Sequence, residues 1–187
     1  MFSERLTALT VGVLLWATAA SAGSTFAADR KDLQILKDVA SSVERYSYFT
    51  LFDDINLTVT DGNVTLSGKV TMPYKRDEID ARVRRVAGVA GVKNDIAVLP
   101  VSPWDDELRY RIARAIYSNP NFWNYAVMAN PPIHIIVEHG RVTLTGVVGS
   151  DVDRMLARSL ASESYAFSVT NALKTDAEVR DALERSE

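Results

Sequence analysis

The sequence predicts an α+β fold built from two tandem small αββαβ units. Three observations support this prediction: one segment recurs 78 residues further on, each copy alternates apolar and polar residues around a glycine turn, and helically spaced apolar residues flank each copy. We expect each unit to be a three-stranded mixed sheet packed on two helices.

The repeated segment is a β-hairpin. The first copy, INLTVTDGNVTLSGKV, runs from Ile55 to Val70, and the second, IHIIVEHGRVTLTGVV, runs from Ile133 to Val148 without a gap. In both copies two alternating stretches surround a turn that contains glycine, which is the pattern of two antiparallel strands. The copies therefore predict one hairpin in each unit.

Four glycines hold equivalent positions in the two hairpins. Gly62 and Gly140 occupy the turns, where the backbone needs a positive φ. Gly68 and Gly146 lie inside the second strands, where glycine usually marks a bulge or a close backbone approach. We expect all four to be structural.

The N-terminal residues 1–22 have the features of a secretory signal peptide. Arg5 supplies a positive charge, Leu6–Ala20 supplies an apolar run, and cleavage is expected after Ala22, or alternatively after Ala27. The run is about 15 residues, shorter than the ~20 needed to cross a bilayer. The chain has no cysteine, so it has neither a lipidated N-terminal cysteine nor a disulfide. We therefore expect a soluble periplasmic protein.

Helices and a final strand complete each unit. In the first unit the helix before the hairpin is predicted by Leu33, Leu36, Val39/Ala40 and Val43, and the helix after it by Ile79, Val83 and Val86. The second hairpin strand, the following helix and the last strand then form a βαβ crossover, so those two strands should be parallel. The last strands are predicted at residues 92–98 and 169–174.

The second unit follows the same order. Leu108, Ile112 and Ile116 predict its first helix, and Ala157 and Ala161 lie on the buried side of its second. The predicted organisation is a signal peptide at 1–22, a first unit at 30–99, a linker at 100–103, a second unit at 104–174 and a C-terminal helical tail at 175–187.

The composition argues against several functional classes. The 187 residues are 47% hydrophobic and 24% charged, as in a globular protein, and a net charge of -3 argues against nucleic acid as a partner. The histidines, His134 and His139, have no metal-ligand spacing, and there is no Gly-x-Ser-x-Gly elbow or glycine-rich phosphate loop. We therefore expect no enzyme activity, no metal and no cofactor.

These motifs together resemble a known family. The run V-x-D-G-x-V-x-L-x-G-x-V, an arginine eight residues after its second glycine, and the segment AGVAGVKNDIAV are similar to the BON domain of bacterial osmotically inducible periplasmic protein Y and nodulation proteins. The resemblance covers both units, over roughly residues 30–174. It implies the αββαβ fold and a non-catalytic role in the cell envelope, through binding of anionic phospholipid or assistance to outer-membrane and secreted proteins.

The helix predicted from Pro73 to Ala87 is the first candidate for a lipid-binding surface. It carries five cations: Lys75, Arg76, Arg82, Arg84 and Arg85. Such a surface can meet lipid phosphates, each cation contributing about 1 kcal/mol near an anionic bilayer. The alternative is a solvated helix face whose charges pair internally, because the same helix also carries acids.

The aromatic loop FWNYAVM of the second unit is the second candidate. Trp123 and Tyr125 are the side chains we single out, because both residue types favour membrane interfaces and protein contacts. The alternative is that the loop packs on its own sheet.

Two functional hypotheses follow. The first is a periplasmic binding protein that contacts anionic phospholipid in envelope maintenance or osmotic stress. The second is a holdase-type chaperone for outer-membrane or secreted proteins. The sequence leaves open the ligand or client, the oligomeric state and whether the two units pack together.

Overall fold

The computed structural model describes residues 22–185, and side-chain burial within residues 31–185. The predicted signal peptide therefore lies almost entirely outside the described residues. The first unit comprises, in chain order, α1 (Ala22–Glu44), β1 (Asp54–Thr60), β2 (Asn63–Val70), α2 (Pro73–Val83) and β3 (Gly91–Val98). The second comprises α3 (Pro103–Tyr117), a 3-10 turn (Pro120–Phe122), α4 (Trp123–Ala126), β4 (Ile133–Glu138), β5 (Arg141–Val148), α5 (Asp151–Ser162), β6 (Ser168–Asn171), β7 (Lys174–Thr175) and α6 (Asp176–Glu184).

The sheets have the predicted topology. In the first unit β1 pairs antiparallel with β2, and β2 pairs parallel with β3. In the second unit β4 pairs antiparallel with β5, which pairs parallel with β6 and β7. The α+β prediction of two αββαβ units is confirmed, with one difference in the strand count of the second unit.

That difference is a break in the last strand. A single strand was predicted at residues 169–174, but the structure divides it into β6 and β7, so the second sheet has four strands. The amide of Ala172 still donates to the carbonyl of Leu144 at 2.8 Å, so the chain keeps its path beside β5 through the break.

Helix α2 is shorter than predicted. It ends at Val83 rather than at Ala87. The amides of Arg85 and Val86 donate to carbonyls only three residues back, at 3.1 and 3.0 Å, which tightens the final turn. Gly88 then takes a φ of +89° where the backbone passes Ile35. A continued α-helix could not make this reversal.

Each unit has its own apolar core between its helices and its sheet. In the first, the buried positions of α1 are Ile35, Val39 and Val43. Val39 and Val43 are buried as predicted, but at the start of the stripe Ile35 is buried and Leu33 is exposed. In the second, the predicted positions of α3 and α5 are buried as expected. Core residues outside α1 include Val64, Leu66, Val70, Ile79 and Val83 in the first unit, and Leu108, Ile112, Ile116, Ile135, Leu144, Ala157 and Ala161 in the second.

The strand glycines occupy sites that no other residue fits. Gly68 has a φ of +117°, and a Cβ there would lie 2.1 Å from the carbonyl oxygen of Asp54. Gly146 has a φ of +113°, and its Cβ would lie 1.9 Å from the carbonyl oxygen of Pro132. Both distances are far inside van der Waals contact, so the first strand of each hairpin can approach only because the side chain is absent.

An aspartate on the first helix of each unit holds the hairpin turn. Asp105 is buried and accepts hydrogen bonds from the amides of His139 and Gly140 at 2.8 and 2.7 Å. In the first unit Asp32 binds both turn amides, at Asp61 and at Gly62. These turns have positive φ at both central residues, and their outward amides need such acceptors.

The two units pack on each other. The amide of Ile135, on β4, donates to the carbonyl of Leu51 at 2.7 Å, so a loop of the first unit lies along the edge of β4. Lys69 of β2 forms an ion pair with Glu138 of β4. Two ring contacts also cross between the units: Phe49 with His134, and Phe52 with Tyr110.

Candidate functional site

Lys75 is buried and is not part of the cationic surface predicted for α2. Its side chain is only 5% exposed, and its Nζ donates to Asp53 Oδ2 at 2.6 Å and to Thr71 Oγ1 at 2.8 Å. The Asp53 carboxylate is fully buried and also accepts from Thr50 and Thr71. Lys75 therefore belongs to an internal ion pair that ties α2 to the segment before β1, and it cannot reach a lipid.

Two of the predicted arginines are held by neighbouring carboxylates. Arg76 Nε lies 2.9 Å from Asp77 Oδ1. Arg84 donates two hydrogen bonds to Asp80, at 2.6 and 3.1 Å, and a third to the carbonyl of Val92. The hydrogen bond with Asp80 raises the pKa of the Arg84 guanidinium above its ordinary value. The internally paired alternative therefore describes these two residues.

The remaining two arginines meet a third that the sequence analysis missed. Arg82 and Arg85, at the end of α2, line a surface hollow of about 390 Å³ together with Arg45, which follows the last residue of α1. Among the described residues, none of these three arginines forms an ion pair with a carboxylate. We call Arg45, Arg82 and Arg85 the arginine pocket.

The side chains of α1 that line the arginine pocket are small or polar. Ser41 and Ser42 line it from α1, and Arg45 Nη1 donates to Ser41 Oγ at 2.6 Å. Asp38 is the one acid in this wall, and its carboxylate accepts from Gln34 at 3.0 Å. Three guanidinium groups against one carboxylate give the hollow a positive potential, and guanidinium forks match the oxygens of a phosphate.

Tyrosine rings continue from the arginine pocket across the surface. The Arg82 guanidinium carbon lies 4.8 Å from the ring centroid of Tyr46, which is buried. Tyr46 makes an edge contact with Tyr48 at 5.8 Å, and Tyr48 makes one with Tyr74 at 6.0 Å. Tyr48 and Tyr74 are exposed, and neither of them lines the arginine pocket.

The aromatic loop of the second unit is divided between interior and surface. Phe122 is fully buried, and Tyr125 is half-buried and stacks on it at 5.9 Å. The Tyr125 hydroxyl accepts from the amide of Gly149 at 2.8 Å, and burial raises the pKa of this phenol. Trp123 remains 67% exposed. The structure thus places Trp123 on the surface and gives Tyr125 a structural contact, and both lie in the other unit from the arginine pocket.

Within residues 22–185, no helix is both long and apolar enough to cross a membrane. In the same part of the chain, His, Asp and Glu residues form no group that could hold a metal ion.

The solved structures that match the chain include two of CdsD, a structural protein of the Type III secretion system of Chlamydia trachomatis, the second being its C-terminal domain. Each is 12% identical with a TM-score of 0.27, covering 81% and 76% of this chain and 98% of the other chain. A TM-score this low carries no argument about this chain.

Comparison of sequences is more informative. No curated protein matches the chain. The BON domain profile, however, matches residues 31–100 and again residues 105–185, which together make up most of the sequence. The match falls on both structural units and confirms the resemblance drawn from the hairpin motifs, including its two tandem copies. The chain belongs to the BON domain family.

Proposed function

We propose that this protein is an exported, periplasmic protein of the cell envelope that binds anionic phospholipid through the arginine pocket. The observation that carries the proposal is the convergence of Arg45, Arg82 and Arg85 on one hollow, without a carboxylate partner for any of them within the described residues. Membership of a non-catalytic, envelope-associated family whose domains bind phospholipid supports it.

The proposed attraction between the arginine pocket and anionic lipid is local. The whole chain carries a net charge of -3, so its overall field repels an anionic surface weakly. Three arginines near the surface contribute about 1 kcal/mol each, or about 3 kcal/mol together. Because exposed charges are screened beyond roughly 8–10 Å at physiological salt, the pocket must approach the headgroups closely. Binding is therefore expected to weaken as salt rises.

Two exposed tyrosines suggest how the protein lies on the membrane. Tyr48 and Tyr74 expose amphipathic rings, and successive ring contacts connect them through the buried Tyr46 to Arg82. In the proposed pose, the guanidinium groups hold lipid phosphates while these rings rest at headgroup level. The contact is peripheral, and it fits a role in envelope maintenance or osmotic stress.

Co-sedimentation with vesicles tests the proposal. The chain from Gly23 onward is mixed with phosphatidylglycerol-containing vesicles or with pure phosphatidylcholine vesicles, over a series of salt concentrations. We expect sedimentation with the anionic vesicles alone, decreasing as salt rises. Equal sedimentation with both vesicle types, or with neither, would refute the proposal.

A holdase-type chaperone is the second candidate, and exposed apolar side chains of the second unit favour it. They surround α4 and the start of α5: Trp123, Val127, Met128, Val152 and Met155. This surface could cover apolar segments of an unfolded envelope protein. Suppression of client aggregation that depends on Trp123 and is insensitive to salt would support the chaperone function over the lipid-binding one.

A further inference from the structure

The outer edge of β4, in the second unit, is closed by hydrogen bonds. Three alternate residues turn their backbone groups toward this edge: Ile133, Ile135 and Val137. The Tyr117 hydroxyl accepts from the amide of Ile133 at 3.1 Å and donates to its carbonyl at 2.7 Å. The amide of Ile135 donates to the Leu51 carbonyl, and Arg109 donates to the carbonyl of Val137 at 2.7 Å. All three strand residues are fully buried.

The equivalent edge of β1, in the first unit, is open. β1 pairs with β2 in the same register as β4 with β5, so Ile55, Leu57 and Val59 turn their backbone groups outward. Within the described residues, no backbone group outside the hairpin forms a hydrogen bond with any of these three. Their side chains are half-buried, whereas their counterparts in β4 are fully buried. Such an edge presents a row of donors and acceptors to another strand.

The difference between the two edges follows from two positions of the first helix in each unit. The aspartates that hold the hairpin turns align α1 with α3. In that alignment Arg109 falls on Leu36, and Tyr117 falls on Glu44. Leu36 has no polar side-chain atom, and a carboxylate such as that of Glu44 has no hydrogen to donate to a strand carbonyl. The first unit therefore lacks the two side chains that close the edge in the second.

A groove lies between α1 and the open edge. Near the hairpin turn it is a hollow of about 480 Å³ lined by Leu33 and Leu36 of α1. At the other end of β1 it joins a cleft of about 780 Å³ between the units, lined by Ala40 and Val43 of α1. Both spaces contact Leu57, and together they follow all seven residues of β1, a length of about 24 Å. We call them the β1 groove.

The charges of the β1 groove favour a cationic partner. Its acids are Asp32, Glu44, Asp54 and Asp61, and Lys174 is the one cation among the described residues that line it. A second copy of β1 would bring its own Asp54 and Asp61 against these acids. A segment with lysine or arginine beside its apolar residues is attracted instead.

We infer that the β1 groove binds an extended segment of another protein as an added strand, with apolar residues at alternate positions and basic residues at its ends. The backbone of this segment hydrogen-bonds with the outward groups of Ile55, Leu57 and Val59, which supplies affinity. Its apolar side chains lie in the groove against Leu33 and Leu36, which supplies specificity. This surface is separate from the arginine pocket and takes a protein rather than a lipid.

Fluorescence anisotropy with the labelled peptide Lys-Val-Thr-Val-Thr-Val-Lys and the chain from Gly23 onward tests the kind of partner. We expect binding, and binding about tenfold weaker or less when glutamates replace both lysines. Alternate residues of a strand turn their backbone groups to opposite edges, so only one set faces β1. Of two N-methylated peptides, one altered at the valines and one at the threonines, only one should therefore retain binding. Absence of binding by the lysine peptide, or equal affinities within either pair, would overturn the inference.

A variant that closes the edge tests the site. In Leu36→Arg we expect the new guanidinium to bond the carbonyl of Val59, as Arg109 bonds that of Val137, and peptide affinity to fall about tenfold or more. Gln34→Arg is the matched control, because it adds the same side chain at an exposed position of α1 outside the groove. The control should stay within about twofold of the wild-type protein. Equal affinities of the two variants would overturn the assignment, and thermal melts verify that both are folded.

Amide hydrogen exchange locates the bound peptide. Exchange at Ile55, Leu57 and Val59 should slow when the peptide binds, because their outward amides gain acceptors. A protein with Arg45→Glu in the arginine pocket should bind the peptide as the wild-type protein does, so this result is independent of the phospholipid proposal. Unchanged exchange at the three amides would overturn the inference. So would a dimer that forms through this edge in place of peptide binding, since it would identify a second copy as the partner.

Discussion

Lys75 and Asp53 form an ion pair inside the first unit, with Lys75 Nζ 2.6 Å from Asp53 Oδ2 and both side chains buried. The pair joins α2 to the chain just before β1, on the side of the helix that packs on the sheet. Removal of one member would leave the other charge buried without its partner, which is costlier than the loss of an exposed pair.

We therefore predict that Lys75→Met lowers the free energy of unfolding by about 3–5 kcal/mol, measured by urea denaturation. Arg76→Met is the matched control, because Arg76 is the next residue and its ion pair with Asp77 is exposed. The control should change stability by less than about 1 kcal/mol. Equal effects of the two variants would show that the buried pair contributes nothing beyond a surface one.

The second prediction concerns the strand glycines. Gly146→Ala should destabilise the protein by at least about 2 kcal/mol, because a Cβ would collide with the carbonyl of Pro132 and the backbone has a φ of +113°. Gly149→Ala is the control, since the nearest atoms to a Cβ there are 3.3 and 3.5 Å away on side chains. Thermal melts of both variants give the comparison. If Gly146→Ala is as stable as Gly149→Ala, the close approach of β4 to β5 is wrong.

The third prediction concerns the acid that holds the second hairpin turn. Asp105→Ala should lower the unfolding free energy by about 2 kcal/mol, because two turn amides, of which that of Gly140 is buried, would lose a charged acceptor. Glu107→Ala, two residues further along α3, removes an exposed carboxylate whose partner, Arg111, is itself partly exposed. We expect a smaller loss in that variant. Amide hydrogen exchange at His139 and Gly140 should rise in the Asp105 variant alone, and unchanged protection there would contradict the assignment.

The fourth prediction is a pH effect at the start of α6. Thr175 and Glu178 form a capping box, with the Thr175 amide 2.9 Å from Glu178 Oε2 and the Glu178 amide 3.2 Å from Thr175 Oγ1. The hydrogen bond from the Thr175 amide, followed by that from Arg154, lowers the pKa of Glu178.

Because the pKa of Glu178 is lower in the folded state, its ionised carboxylate stabilises the protein at pH values above its unfolded-state pKa, near 4. This stabilisation is lost as the pH falls through the folded-state pKa. The NMR titration of Glu178 should therefore have its midpoint below the ordinary pKa of a glutamate side chain, about 4.3. Protection of the α6 amides should decrease over the same pH range. A midpoint for Glu178 at or above the ordinary glutamate pKa would contradict the cap.

Much of the fold could be predicted from the sequence because its signals are local. The glycine turns, the alternation in the hairpins and the cap at Ser102, whose hydroxyl accepts from the amide of Asp105 at 3.2 Å, all depend on neighbouring residues. The end of α2 could not be predicted in this way, because it depends on the passage of Gly88 beside Ile35, far away in the sequence.

The candidate site shows the same limit. Lys75 looked like a surface cation, although it falls four residues before Ile79 and eight before Val83, on the buried stripe of α2. That spacing indicates that Lys75 is buried. The ion pair could not be predicted, because its other member, Asp53, is distant in the sequence. Arg45 gave no signal of its own, because only the packing of α1 against the end of α2 brings it beside Arg82 and Arg85.

The arginine pocket is tested most directly by vesicle co-sedimentation of two variants with the same change in charge. One carries Arg45→Glu, Arg82→Glu and Arg85→Glu. The control carries Lys93→Glu, Arg141→Glu and Arg180→Glu, at exposed positions outside the pocket. Far-UV circular dichroism verifies that both variants are folded.

With phosphatidylglycerol-containing vesicles at low salt, the pocket variant should lose about a hundredfold in affinity, corresponding to about 3 kcal/mol for three cations. The control should stay within about threefold of the wild-type protein. Equal losses in both variants would mean that net charge alone governs binding, and full retention by the pocket variant would mean that the lipid binds elsewhere. Either result would contradict the arginine pocket as the lipid site.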